Sequence, residues 1–134
     1  IINYKGAGVV KKILRRILGR VIFGNILRLI NILTLPKPIT RDSEAQQSVN
    51  QQTHKLALYQ FGTCPFCIKV TRFMHKNTLN IELRDTRKDH NHKTDLVNLG
   101  GKYQVPCLRI PQENDKDLWL YESDEIISYF KKLI

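Results

Sequence analysis

Cys64-Pro65-Phe66-Cys67, directly after the apolar run Lys55-Leu56-Ala57-Leu58-Tyr59-Gln60-Phe61, is the stretch that decides the expected fold. Two thiols separated by two residues, where a strand leads into a helix, are typical of a redox motif. In such a pair the first thiolate attacks a disulfide and the second thiol resolves the mixed disulfide. Pro65 suits the first helical position, and free N–H groups at a helix N-terminus stabilise a thiolate. We therefore predict that Cys64 is an exposed nucleophile with a low pKa and Cys67 the buried resolving thiol.

A zinc site and a structural disulfide are two other interpretations of this motif. A closed zinc site needs about four ligands. Beyond the motif the sequence offers only one further cysteine, Cys107, and His75, His90 and His92 lack partner spacing. A disulfide across so short a loop constrains the unfolded chain little. Both interpretations are disfavoured, and we expect no metal site.

The composition indicates one domain in a reducing environment. The chain has 134 residues, enough for a modest core, and its odd count of three cysteines excludes a disulfide-stapled scaffold. Reactive thiols work best where they are kept reduced. We expect a cytoplasmic protein that lies at the cytoplasmic face of a membrane if its N-terminal arm binds lipid.

The positive charge is concentrated at the N-terminus. The net charge is +10, and residues 1–35 carry no acid and seven basic residues, namely Lys5, Lys11, Lys12, Arg15, Arg16, Arg20 and Arg28. Residues 36–134 hold 15 basic and 12 acidic side chains, a net charge of only +3. A cationic arm before an ordinary domain indicates an anionic partner.

The arm, residues 1–35, has the pattern of a basic amphipathic helix. From Lys11 to Ile22, basic residues lie on one side, whereas the other side carries Ile13, Leu14, Ile17, Leu18, Val21 and Ile22. An interfacial membrane helix is the favoured interpretation for residues 9–35. The alternatives are a helix that packs on the domain or on a partner subunit, and a membrane span, although charged Arg20 and Arg28 interrupt it. A nucleic-acid partner is not expected, because the non-basic positions are aliphatic and lack stacking aromatic residues.

The rest of the chain is interpreted as a linker and one α/β domain. Pro36-Lys37-Pro38 ends the arm, and residues 36–54 are polar, with a short helix expected near 43–50. From Lys55 to Ile134, apolar periodicity predicts strands at 55–61, 80–84, 107–110 and 118–121. Helices are predicted at 65–75, at 92–99 and after Ser123, the expected cap of the last helix.

Two further motifs carry a family resemblance. Gln104-Val105-Pro106 precedes the third strand, and Tyr121-Glu122-Ser123-Asp124 stands at a strand-to-helix corner. In this order, together with the CPFC motif, residues 55–134 resemble the glutaredoxins and the glutathione-binding half of glutathione S-transferases. The run before the motif is also similar to the glutaredoxin-like part of membrane-associated prostaglandin E synthases.

The resemblance implies an α/β thioredoxin-like fold, with a mixed four-stranded sheet and three helices after the basic N-terminal helix. It implies catalytic roles for Cys64 and Cys67, supported by Pro65 and a cis-Pro106. Glutathione is the implied cofactor. The positions implied to contact glutathione are Phe66, Gln104, Val105, Glu122, Ser123 and Asp124.

One position departs from the glutaredoxin pattern. Glutaredoxins usually carry Lys three residues before the first cysteine, to pair with a glutathione carboxylate, and this sequence has Phe61. Lys102, Gln104 and Arg72 are the candidate substitutes. Cys107, which follows Pro106, is interpreted as a buried strand residue or as a third thiol in exchange.

The expected function is a glutathione-dependent thiol–disulfide oxidoreductase that acts on protein disulfides or glutathione mixed disulfides. Two alternatives remain: a dimeric module that binds a [2Fe–2S] cluster through Cys64 and glutathione, and a membrane-tethered adaptor that binds glutathione. The resemblance does not extend to the helical second domain of a transferase, so we do not expect a full transferase with its own electrophile pocket.

Overall fold

Four short strands and five helices follow one another in the computed structural model, which describes residues 4–114 and 116–134. In chain order the elements are α1 (Tyr4–Leu33), α2 (Ser43–Thr53), β1 (Ala57–Gln60), α3 (Pro65–Lys76), β2 (Glu82–Asp85), α4 (His90–Gly100), β3 (Cys107–Ile110), β4 (Leu118–Leu120) and α5 (Ser123–Leu133). Residues 1–3 of the predicted arm lie outside the described residues.

The strands form one mixed sheet in the order β2-β1-β3-β4. β1 pairs with β2 in parallel and with β3 in the antiparallel sense, and β3 pairs with β4 in the antiparallel sense. With α3, α4 and α5 around this sheet, the expected thioredoxin-like α/β fold is confirmed.

Buried side chains lie on both faces of the sheet because β1 is covered on both sides. Side chains alternate along a strand, so Leu58 joins one cluster while Ala57 and Tyr59 join the other. The larger cluster includes Val70 of α3 and Phe130 of α5 and consists of Val49, Leu56, Leu58, Val70, Met74, Leu79, Ile81, Leu108, Ile110, Ile126 and Phe130. The smaller cluster adds Leu96 of α4 and Cys107 of β3. Three helices are thereby held against a central strand.

The capping residues determine where α4 ends and where α5 begins. α4 ends at Gly100, and its C-cap is Gly101, whose φ of 94° is left-handed and therefore suits glycine. The predicted cap Ser123 is instead the first residue of α5, and Glu122 is the N-cap. The prediction was wrong by one residue, because it relied on the preference of serine over glutamate at the N-cap position.

Residues 36–54, interpreted from the sequence as a linker, contain α2 and pack on the domain. Asp42 caps α2 by accepting the Ala45 N–H at 2.7 Å, and Val49 and Thr53 are buried. Arg41 Nη1 donates to the Asn77 carbonyl at 2.5 Å, which joins the segment to the end of α3. The segment is thus attached to the sheet domain at both its start and its helix.

α1 is a single 30-residue helix whose second half contacts the domain. Arg72 of α3 donates to Asn31 Oδ1 at 3.0 Å and to the Thr34 carbonyl at 2.9 Å. A Cβ added at Gly6, Gly8 or Gly19, all before the contact at Gly24, would meet nothing within 4 Å. Within the described residues, no helix has the length and apolar character needed to cross a membrane.

Candidate active site

One edge of the sheet collects the residues that the sequence singled out. β1 and β2 are parallel and end together, with Gln60 opposite Asp85. β3 runs the other way and therefore begins at this edge, with Cys107 opposite Tyr59. β4 ends there, because Leu120 pairs with Leu108. The loops at this edge accordingly carry the CPFC motif, the Val105–Pro106 bond and the start of α5.

The dithiol lies at the N-terminus of α3. Cys64 is the N-cap in an extended conformation, and its carbonyl accepts the Ile68 N–H at 2.9 Å. Pro65 occupies the first turn, where no N–H is required. Both cysteines are free thiols, and Cys67 is 1% exposed. The predicted positions of Pro65 and of a buried Cys67 are thus found.

Cys64 is only 9% exposed, so the expectation of an exposed nucleophile was wrong. α1 passes close to the loop that carries this thiol, and residues of both line one cavity. A Cβ at Gly24 would lie 3.0 Å from the Thr63 Cβ, so glycine permits the helix to approach the loop before Cys64 this closely. Sequence periodicity could identify the helix but not the surface that it covers.

The two thiols have opposite electrostatic environments. A hydrogen bond from the Cys67 thiol lowers the pKa of Cys64 to about 6, against the opposing effect of burial. The N–H groups of Cys67 and Phe66 and the positive charge of Arg87 act in the same direction as this bond. The same thiol–thiol bond and burial raise the pKa of Cys67 far above its usual range. Cys64 is therefore a thiolate at neutral pH while Cys67 keeps its proton.

We expect the alkylation rate of Cys64 to rise with pH through a midpoint near pH 6. The lowered pKa of about 6 leaves the thiol protonated and unreactive below that pH, and mostly thiolate above about pH 7. Iodoacetamide labelling with peptide mapping measures this rate, and Cys107→Ser serves as the matched control for background labelling. A midpoint near 8.5, the value of an ordinary free thiol, would contradict the proposed environment.

The peptide bond between Val105 and Pro106 is cis, as the resemblance implied. Pro106 is buried, whereas Gln104 and Val105 are partly exposed. Cys107 is 0% exposed, and burial raises its pKa to about 12. A buried, protonated thiol is a poor nucleophile, which favours the structural interpretation of Cys107.

The three candidate residues at the start of α5 differ in exposure and in their partners. Glu122 is exposed and its side chain makes no capping hydrogen bond, while Ser123 is 8% exposed. The Asp124 carboxylate instead forms an ion pair with Lys69 of α3. This pair ties α5 to the dithiol helix and occupies Asp124.

The candidates to replace the glutaredoxin lysine differ in the groups that they contact. Arg72 is directed to α1 through its bonds to Asn31 and Thr34, which makes it the least suitable of the three candidates. Lys102 Nζ lies 4.4 Å from the Tyr121 ring centroid. Phe66 is 63% exposed beside the dithiol, in agreement with a surface position.

Arg87 is the site residue that the sequence analysis missed. Its guanidinium carbon lies 3.7 Å from the Phe61 ring centroid, and its Nη1 donates to Thr63 Oγ1 at 3.1 Å. The available signal was its place two residues after a strand parallel to the one that leads into the CPFC motif. Without the register, however, the sequence could not show that both strands end at the same point.

A cavity of about 600 Å³ lies between α1 and the dithiol loop. Its walls include Ile17, Arg20 and Val21 of α1, and Cys64 and Arg87 of the domain. Among the described residues, no group of three or more His, Cys, Asp or Glu side chains could hold a metal ion. The arrangement thus offers a thiolate beside a basic, largely apolar cavity.

Comparisons with known proteins agree with this geometry. A family model described as "Glutathione S-transferase, N-terminal domain" matches residues 63–133. No curated protein matches the sequence.

The solved structure of the thioredoxin-like protein BC3987 is 22% identical, with a TM-score of 0.46, and covers 60% of this chain and 100% of that one. A point mutant of the same protein is 22% identical, with a TM-score of 0.45, and covers 55% of this chain and 96% of its own. Because the family match spans more than half of the chain, the protein belongs to the family of glutathione S-transferase N-terminal domains.

Proposed function

We propose that the protein is a glutathione-dependent thiol–disulfide oxidoreductase that reduces glutathione mixed disulfides or protein disulfides. The observation that carries this proposal is the pair of free thiols at the N-terminus of α3, where their mutual hydrogen bond shifts the two pKa values in opposite directions. A thiolate next to a protonated thiol is what nucleophilic attack followed by resolution requires. The family and the fold are in agreement with such chemistry.

The reaction is a balanced sequence of thiol–disulfide exchanges. The Cys64 thiolate attacks the glutathionyl sulfur of a mixed disulfide, an S–S bond to glutathione forms, and the substrate thiolate leaves. A glutathione thiolate then attacks this bond, which releases oxidised glutathione and restores the Cys64 thiolate. In the net reaction one free glutathione is oxidised, the glutathionyl group of the substrate leaves as the other half of oxidised glutathione, and the substrate is released as its thiol.

Cys67 provides a second route for resolving the mixed disulfide, in which no free glutathione is needed for that step. After loss of its proton, its sulfur attacks Cys64 in the mixed disulfide, and a Cys64–Cys67 disulfide forms as the glutathione or substrate thiolate leaves. Two further glutathione molecules reduce that disulfide. The high pKa of Cys67 keeps this route closed until Cys64 has lost its negative charge through bond formation.

In this proposal, glutathione binds as a substrate along the residues at the sheet edge. An extended peptide beside Val105 would find backbone groups next to the cis-Pro106 bond. The free N–H groups at the start of α5 suit the γ-glutamyl carboxylate, and the exposed Glu122 suits the γ-glutamyl ammonium group. Glutathione bound in this way is proposed to direct its cysteinyl sulfur toward Cys64.

The function is tested by turnover of a glutathionylated peptide with glutathione as the reductant, monitored through coupled reduction of oxidised glutathione. We expect saturable turnover by the wild-type protein. Release of the peptide thiol at the uncatalysed rate would refute the proposed activity.

Ser123→Ala and Glu122→Ala are expected to raise the KM for the glutathionylated peptide by ~5–10-fold and to lower kcat less. These groups are remote from the reacting sulfur, so they contribute equally to the ground state and the transition state. Glu125→Ala, in the same exposed turn, is the matched control. Wild-type kinetics in both variants would place the γ-glutamyl group elsewhere.

We also propose that α1 binds an anionic membrane surface from the cytoplasm. Its apolar side chains are exposed over most of its length, with Ile13, Leu18, Ile22, Ile26 and Leu29 between 48% and 58% exposed. The helix has no acidic residue. Basic charge together with exposed apolar side chains is the combination that such surfaces bind.

A further inference from the structure

β2 forms one edge of the sheet, and its outer side has no strand partner among the described residues. In the order β2-β1-β3-β4 it pairs with β1 alone. The Thr86 N–H donates to the Gln60 carbonyl at 3.0 Å, so the peptide groups of even-numbered residues point toward β1. Because peptide groups alternate along a strand, the N–H and C=O groups of Leu83 point outward. Such an edge is a template for a further strand.

The outer edge of β2 is also apolar on the side that faces α1 and α3. Leu83 is 50% exposed and lines two cavities, of about 440 and 360 Å³, which also share Asn31 and Thr71. The smaller cavity has further apolar walls from Leu35, Met74, Leu79 and Ile81. α1 is therefore separated from the strand edge by open space, and a side chain of an added strand can enter it.

The opposite face of β2 carries one acidic and one basic side chain. Glu82 and Arg84 flank Leu83 and lie on the other face of the strand, because side chains alternate. Arg84 Nη2 donates to Glu82 Oε2 at 3.0 Å, and the Glu82 side chain is 57% exposed. The segment Glu82-Leu83-Arg84 is thus complementary in charge to a second copy of itself that runs in the opposite direction.

The charges select one register for such a pair of β2 strands. When the two-fold axis passes through Leu83, the two Leu83 residues are opposite each other and each Glu82 is opposite Arg84 of the other copy. When the axis passes through position 82 or 84, like charges are opposite each other. Unlike charges directly opposite stabilise an antiparallel strand pair, and like charges destabilise it. The register centred on Leu83 is therefore the favoured one.

We propose that two copies of the chain associate through β2, as an antiparallel strand pair whose two-fold axis passes through Leu83. Reciprocal hydrogen bonds between the Leu83 peptide groups join the two four-stranded sheets into one, and the same surface serves both copies. The other edge strand, β4 (Leu118–Leu120), is shorter and has no charged residue to fix a register. This inference is independent of the proposed redox function.

Sedimentation velocity on the full, reduced chain over a range of micromolar concentrations tests the surface. We expect a monomer–dimer equilibrium for the wild type. Leu83→Lys should raise the dimer dissociation constant at least ~10-fold, because it places two ammonium groups opposite each other at the centre of the strand pair. Leu118→Lys, at a leucine that is 45% exposed on the other sheet edge, is the matched control and should dimerise as the wild type does.

A mixture of two charge variants tests the register. Glu82→Arg places arginine opposite Arg84, and Arg84→Glu places glutamate opposite Glu82, so each variant alone should dimerise at least ~10-fold more weakly than the wild type. An equal mixture of the two restores unlike charges at both pairs and should form a heterodimer with nearly wild-type affinity. Circular dichroism of each variant checks that it is folded.

Three results would overturn the proposal. The first is a wild-type chain that stays monomeric throughout the concentration range. The second is wild-type association of Leu83→Lys, which would place the interface elsewhere. The third is a mixture of folded charge variants that does not associate, which would exclude the register. Should Arg84→Glu fail to fold after losing the bond from Arg84 to the Tyr59 hydroxyl, Leu83→Lys still decides the matter, since it alters neither charge.

Discussion

Cys64→Ser is expected to abolish reduction of the glutathionylated peptide, with a loss of at least ~10³-fold in kcat/KM. The substitution replaces a thiolate by a hydroxyl that stays protonated at neutral pH and cannot form the mixed disulfide. The protein should still fold, because serine retains the size of the residue and its place as the N-cap of α3. Far-ultraviolet circular dichroism checks the fold, and coupled turnover gives the rate.

Cys67→Ser is the matched comparison and should behave differently. Glutathione can resolve the mixed disulfide on Cys64 without a second protein thiol, so deglutathionylation should persist, while reduction of protein disulfides should fall substantially. Because the serine hydroxyl can still donate to the Cys64 thiolate, Cys67→Ala is the variant that removes the hydrogen bond contributing most to the low pKa of Cys64. The pH at which the alanine variant reaches half its maximal rate should therefore rise. Equal activity of both serine variants would contradict the assigned roles.

Neutralising the first half of α1 is expected to weaken binding to anionic vesicles by ~10³-fold. A basic residue near an anionic surface contributes about 1 kcal/mol, so a variant with Lys11, Lys12, Arg15 and Arg16 all changed to Gln loses about 4 kcal/mol. All four side chains are exposed and lie before the region where α1 contacts the domain. Co-sedimentation with vesicles of phosphatidylserine and phosphatidylcholine measures the partition coefficient.

The control for this prediction changes Lys55, Lys76, Lys131 and Lys132 to Gln, which alters the net charge equally but leaves α1 intact. That variant should bind within a few-fold of the wild type. High salt should weaken wild-type binding without abolishing it, since the apolar side chains contribute a salt-resistant component.

Two other results would assign α1 a different role. Wild-type protein that ignores anionic vesicles at low salt would leave α1 as a helix that packs on its own domain or on a partner. Release by detergent alone, with cleavage of the helix by a protease on the far side of the bilayer, would make it a membrane span.

The fold was largely predictable because local and periodic signals agreed along the second half of the chain. Pro65 marked the start of α3 and Gly100-Gly101 marked the end of α4, and buried strands showed as short apolar runs such as Cys107–Ile110. α2 was harder to place, because its polar sequence hides two buried residues, Val49 and Thr53. Burial of a side chain here depends on what the helix meets, which periodicity does not report.

The candidate site was predictable where its functional residues are close neighbours in the sequence, as in the CPFC motif. It was not predictable where distant segments meet. Arg87 reaches Phe61 only because β1 and β2 are parallel and in a particular register. Arg72 carries the same charge, yet the helix face on which it lies directs it to α1. The close approach of α1 to the loop before Cys64 likewise depends on a tertiary contact at Gly24.

The most direct test of the central claim is to locate the covalent intermediate. Cys67→Ser protein, which cannot resolve a mixed disulfide internally, is incubated with oxidised glutathione at pH 7 and digested without reductant. We predict that peptide mass spectrometry finds one glutathionyl group per chain, attached to Cys64. Attachment to Cys107, or no adduct on a folded protein, would contradict the account.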